Sequence, residues 1–136
     1  MSDAIPVEVG ELLPDEVRLI LGSLPLDLTY VDEADTVRWY SPHRIFNRQP
    51  SDIGRNVIEC HSEGTRSGVG RLMAELRDGI RDVAEFLEMS KGRYVQVRYF
   101  ALRDAEGVYR GVLEVAQEVA DVWPEVPQPP QAPEGA

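Results

Sequence analysis

The sequence predicts an α+β fold: a five-stranded antiparallel sheet with helices packed on one face. Two segments of helical period, an early hairpin and a C-terminal run of three alternating strands predict it. Strands divided by a helical insert close as one sheet with the insert laid across it, which leaves a small space where a ligand fits. The chain has 136 residues, enough for one domain with a real core.

Residues 1–13 have weak periodicity and read as a flexible lead-in to a domain spanning 14–121. Pro14 suits a first helical turn, and Asp15 and Glu16 suit the positive end of a helix. Val17, Leu19, Ile20 and Leu21 give that helix an apolar side, and Gly22 and Pro25 stop it. Residues 26–31 alternate as a half-buried strand does, 32–35 form a polar turn, and 36–40 are a second β-rich run. Ser41 is placed to cap a short helical turn through 43–46, and Pro50, Gly54 and Gly64 break residues 47–64 into short turns and loop.

A longer helix is expected over 65–78, because Val69, Leu72, Met73 and Leu76 recur at helical spacing before Gly79. Residues 82–89 are mixed, Lys91 and Gly92 make a tight turn, and 93–102 put Val95, Val97, Tyr99 and Ala101 on one face. After the turn at 104–107, residues 108–119 put Tyr109, Gly111, Leu113, Val115 and Gln117 on one side of a final strand. Five of the ten prolines fall in the last thirteen positions, so 122–136 read as a proline-rich disordered tail.

Net charge is −10, but six acids and no base lie in residues 1–13 and 121–136, so 14–120 carry only −4. Acids are interleaved with Arg66, Arg71, Arg77 and Arg81, which argues against a nucleic-acid partner and against an anionic membrane surface. No apolar run approaches the roughly 20 residues of a membrane helix, and the start MSDAIPVEVG lacks the basic and apolar regions of a secretory signal. The single cysteine, Cys60, excludes an internal disulfide and a multi-cysteine metal site, and a cytoplasmic location is expected.

With these residues in this order, positions 15–121 resemble the PAS domain. The run from Leu28 to Val37 looks like the opening PAS hairpin with its short acidic turn. Ile53, Gly54 and Arg55 look like the step before the long helix. His61, Ser62 and Glu63 lie where many PAS domains carry His-Pro-Glu-Asp, and GVLEVAQEVAD, from Gly111 to Asp121, is similar to the closing strand. The phrases LPLDLTYVDEADTVRWYS, RIFNRQPSDIGRNVIECH, RDVAEFLEM and RYVQVRYFALRDAEGVYRGVLEV are similar to a subgroup found in DUF438 and hemerythrin-associated bacterial proteins. Members of that subgroup often continue Cys-His with Pro-Pro, whereas here Ser62, Glu63 and Gly64 follow Cys60 and His61. The resemblance implies a stand-alone sensory or regulatory module, not an enzyme. Such a module binds a small ligand or a protein partner and signals through protein–protein contacts.

Cys60 and His61 are the most chemical-looking pair. The resemblance admits a haem-binding gas or redox sensor, with His61 as iron ligand and Cys60 as an alternative ligand. Against it stands the reading that His61 braces the turn and Cys60 is a small buried hydrophobe. The sequence argues against a photoactive flavin: light-sensing relatives read Gly-Arg-Asn-Cys, whereas Val57 follows Gly54, Arg55 and Asn56 here and cannot form the adduct. Two histidines, His43 and His61, make poor zinc spacing, so no metal site is assigned, and His43 reads as a solvated surface residue. Asp32, Glu33 and Asp35 read as the solvated turn of the first hairpin, and no catalytic set or phosphate-binding phrase is present. Gly64, Gly68 and Gly70 open the long helix and fit loose packing better than an anion site.

The pocket floor is expected at Val95, Val97 and Tyr99 beside Leu113 and Val115, with the Tyr99 hydroxyl able to meet a ligand. Leu12, Leu13, Val17, Ile20 and Leu21 form an apolar stripe that suits a homodimer or a cover for the chain's own sheet. A ligand-free dimerisation scaffold is the remaining alternative. The identity of the ligand and of the signalling partner is not written in the residues.

Overall fold

The structure, a computed structural model, describes residues 3–61 and 63–129. Within the lead-in, β1 (Ile5–Pro6) and β2 (Glu11–Leu12) pair as a two-stranded ribbon whose turn uses Gly10 at φ 92°. Helix α1 (Pro14–Ser23) starts as its residues dictate: the Leu13 N–H donates to the Glu16 carboxylate at 2.7 Å, and Pro14 occupies the first turn. None of its side chains is buried.

Five strands form one antiparallel sheet. They are β3 (Asp27–Asp32), β4 (Val37–Tyr40), β5 (Val83–Ser90), β6 (Arg93–Arg103) and β7 (Tyr109–Glu118), in the spatial order β4-β3-β7-β6-β5. The expected single sheet is therefore present: the first hairpin and the last three strands meet where β3 pairs with β7 from Asp27 opposite Ala116 to Asp32 opposite Gly111. The segment 82–89, mixed in sequence, is a full strand because its register against β6 runs unbroken from Val83 opposite Phe100 to Ser90 opposite Arg93. After β7 the chain turns into α3 (Val119–Val122). Residues 130–136 of the proline-rich tail lie outside the described residues.

Helix α2 (Glu63–Arg77) packs on one face of the sheet. Met73 and Leu76 meet Val31, Val37, Val57 and Val112 in the main core, with Val69 and Leu72 at its margin. Each such fully buried side chain contributes about 1.5–3 kcal/mol. The C-terminal end of α2 is held by charge. The Arg77 guanidinium bonds both carboxylate oxygens of Asp35 at 2.7 and 2.6 Å, and Arg103 Nη2 donates to the Leu76 carbonyl at 2.8 Å. Both cations suit the negative end of a helix. The acidic hairpin turn is thus partly an anchor for α2 and not only a solvated turn, with Asp35 itself at φ 62°.

The expected helical turn at 43–46 is absent, and the buried Asp27 explains why. Its Oδ2 accepts hydrogen bonds from the Ile45 and Phe46 N–H groups, both at 2.9 Å, and the Arg44 guanidinium sits 2.7 Å from its Oδ1. Ser41 does not cap a helix. Its hydroxyl donates to the Leu26 carbonyl and accepts from the Leu28 N–H, both at 2.8 Å, stitching the strand ends together. The insert then covers the β4 edge: the Val37 N–H donates to the Arg55 carbonyl, the Gly54 N–H donates to the Val37 carbonyl, and Thr36 bridges Asn56. No described helix is long and apolar enough to cross a membrane.

Candidate functional site

Strand register decides which side chains face α2. On β6, Val95, Val97, Tyr99 and Ala101 share the inner face, and their partners on β7 are Glu118, Ala116, Glu114 and Val112. Leu113 and Val115 pair with Phe100 and Arg98 on the opposite face, so they are not part of a pocket floor with Val97 and Tyr99. That placement corrects the sequence expectation by one residue on β7. Val112 and Ala116 are as apolar as Leu113 and Val115, so hydrophobicity alone does not choose the face of a strand that is apolar on both sides.

A cavity of about 400 Å³ lies between this inner face and α2. Val97, Tyr99 and Glu114 form its floor, Val69 of α2 and Phe86 of β5 its apolar walls, and Phe46, Asn47 and Arg48 one rim. Cys60 and His61 both line it as well. Val95 is fully buried on the same face but packs with Ala116, Ile45 and Phe46 away from this space. His43 is exposed. A shallower groove between α2 and β5 shares Thr65, Val69, Phe86 and Tyr99 with the cavity and opens it to solvent. Gly64 and Gly68 border that groove, and a Cβ on either would meet nothing within 4 Å, so the missing side chains keep the opening wide.

Glu114 and Arg48 are site residues that sequence reasoning missed, and Glu114 is the more deeply buried. It is 8% exposed at the centre of the floor, between Thr29 on β3 and Tyr99 on β6. The available signal was a lone acid inside the apolar run Val112-Leu113-Glu114-Val115-Ala116. Burial pushes its pKa up, opposed by a hydrogen bond from Tyr99 and by the charges of Arg48 and His61. Tyr99 is pushed well above the ordinary phenol range by burial and by the adjacent carboxyl. The loop that brings Arg48 to the cavity is the one pinned by Asp27 and Arg44. His61 is oriented by a 2.9 Å hydrogen bond between Nδ1 and the Val57 carbonyl; the carbonyl only accepts, so Nδ1 donates and Nε2 is the nitrogen left without that tie.

A carboxyl whose folded pKa lies above its unfolded value stabilises the fold below the unfolded pKa, and that contribution is lost as pH rises through the folded pKa. Glu114 therefore makes the domain less stable on going from acid toward neutral pH. Glu114→Gln is expected to flatten that part of the profile and to raise the urea midpoint at neutral pH. Parallel profiles for the two proteins would refute the burial argument.

The PAS domain family model matches residues 17–120. A crystallised C-terminal domain from Streptococcus mutans is 34% identical with a TM-score of 0.82, covering 89% of this chain and 96% of that one. The PAS domain of a Colwellia psychrerythraea protein is 9% identical with a TM-score of 0.58, covering 79% of this chain and 97% of that one. The PAS domain of Bordetella pertussis BvgS is 14% identical with a TM-score of 0.55, covering 81% and 87% respectively. The likeness to the last two is one of fold. No curated protein matches the chain.

Proposed function

Because the chain belongs to the PAS domain family, we propose that it is a sensory module that binds a small organic ligand between its sheet and α2 and signals through protein contacts. One observation carries this reading: the cavity floor holds a buried carboxyl, Glu114, whose side-chain partner is Tyr99 and whose remaining surface faces the open space. A carboxyl buried in a core without further purpose is costly, and retaining one at the floor of a cavity fits ligand recognition. Sequence phrases shared with the DUF438-associated subgroup support a place in that branch.

Signal output through a second copy of the chain is part of the proposal. Leu13, just before α1, and Ile20 within it are 48% and 45% exposed, and Leu87 and Met89 expose further apolar surface on the outer face of β5. Native mass spectrometry of protein taken directly from cells tests both parts. The expected result is a dimer carrying a retained small molecule, with Ile20→Asp shifting the mass to monomer. An empty dimer would favour the scaffold reading, and a monomer without ligand would sink the proposal.

Haem is a second reading, favoured by the free Nε2 of His61 beside the cavity. Those residues fit an iron ligand, while the Glu114 carboxyl in the floor fits the apolar face of a porphyrin poorly. A Soret band in purified protein, lost in His61→Ala, would support it. Protein that takes up no added haemin would remove it.

A further inference from the structure

We propose that the cavity selects a small monocarboxylate, with an apolar body against Phe46, Val69, Phe86 and Val97 and its carboxylate seated between Arg48 and Glu114. This rests on the ligand-binding reading above and specifies the chemistry of that site. Size comes first. With roughly 30 Å³ taken by each water-sized atom group, the cavity of about 400 Å³ admits about a dozen non-hydrogen atoms.

Polarity comes next. Among the described residues Arg48 makes no hydrogen bond or ion pair, although it is half-buried and lines the cavity. Glu114 lies beyond ion-pair distance of it, and the space between them is the cavity. The groups that face Glu114 are Tyr99 on β6, Thr29 and Asp27 on β3, and Arg48 and His61 on the insert, while Glu88 of β5 lines the same cavity at its exposed margin. Asp27 is already committed to Arg44 and two backbone N–H groups, so it does not neutralise Arg48. The Tyr99 hydroxyl is donated to Glu114.

A protonated Glu114 then offers its own O–H to the cavity, and Arg48 offers guanidinium N–H groups. Both of these groups donate, and the one other acid in the lining, Glu88, is exposed to solvent at the margin of the cavity. An anionic oxygen pair satisfies them together, as charge-assisted bonds are the strong ones. An ammonium would meet Arg48 head-on. A neutral amide would satisfy the donors but forgo the charge. Ionisation of Glu114 removes its donor and places a negative charge against the ligand, so carboxylate affinity falls as pH rises through the Glu114 titration.

The test uses the whole chain and four matched sets of probes: benzoate, 3-phenylpropionate, indole-3-acetate and octanoate, each with its amide and its amine. Dissociation constants are measured by calorimetry and by ligand-observed NMR. At least one acid is expected to bind about tenfold or more tightly than its own amide, the scale of one charge-assisted hydrogen bond. Arg48→Gln should weaken that acid by a similar factor and leave the amide unchanged. Because Arg48 holds no other residue, the variant should fold normally. Glu114→Gln keeps an N–H donor and should bind the acid with the pH dependence gone. An amide or amine equal to its acid, or an Arg48→Gln variant with unaltered acid affinity, would overturn the proposal while leaving a ligand-binding cavity intact. Failure of acids, amides and amines alike overturns both.

Discussion

Gly111→Ala is expected to lower the stability of the domain by roughly 3–5 kcal/mol, in the range where single substitutions report a backbone clash. Gly111 sits in β7 at φ 136°, opposite Asp32 on one side and Leu102 on the other. A Cβ there would run into the Val31 carbonyl oxygen and crowd the Asp32 backbone at 3.0 Å. No rotamer relieves this, because the obstacle is main chain. The β3–β7 ladder must open, and that ladder joins the first hairpin to the C-terminal strands. Urea unfolding of the purified variant measures the loss. Gly107→Ala, also at positive φ but with open space around its Cβ, provides the contrast and should cost much less. Equal losses in the two variants would show that the close approach has no energetic weight.

Asp27→Ala should cost about 3–5 kcal/mol, because removing one member of a buried pair strands the other. Asp27 is completely buried, and the Arg44 side chain is 17% exposed. The variant leaves that guanidinium, already reluctant to carry its proton because of burial, without its partner. It also leaves the Ile45 and Phe46 N–H groups without acceptors. Asp27→Asn should lose less, since an amide oxygen still accepts one of those bonds. The double variant Asp27→Ala, Arg44→Leu should recover part of the loss, and this coupling is the decisive measurement. Strict additivity would mean that the two residues act separately. The consequence for the cavity is direct: the pinned loop carries Phe46, Asn47 and Arg48, so its release should weaken binding along with stability.

The architecture was legible because each long element has one clear period. Val95, Val97, Tyr99 and Ala101 fixed the face of β6, and Val69, Leu72, Met73 and Leu76 fixed the buried side of α2. Both assignments stand. The site was legible only in part. Val97, Tyr99, Cys60 and His61 do meet at one cavity. On β7 the pattern was apolar on both faces, and pleat phase there follows from pairing partners that no single strand reveals. Glu114 was hidden for that reason. Arg48 was hidden for another: its position depends on a loop conformation set by Asp27, some twenty residues earlier, and long-range capping of this sort leaves no local spacing to read. The missing helical turn at 43–46 has the same cause, since a buried carboxylate claims the N–H groups around which the turn would have formed.

The two margins of the sheet differ in a way that sets how the molecule can be extended. The β4 margin is already occupied by the chain's own insert through Arg55 and Gly54. The β5 margin presents the backbone of Val83–Ser90 with no neighbour on its far side among the described residues. Strand addition, whether by a client peptide or during misassembly at high concentration, is therefore one-sided and must begin at β5. Glu85 and Glu88 are exposed on opposite faces of that strand, which disfavours a second acidic strand.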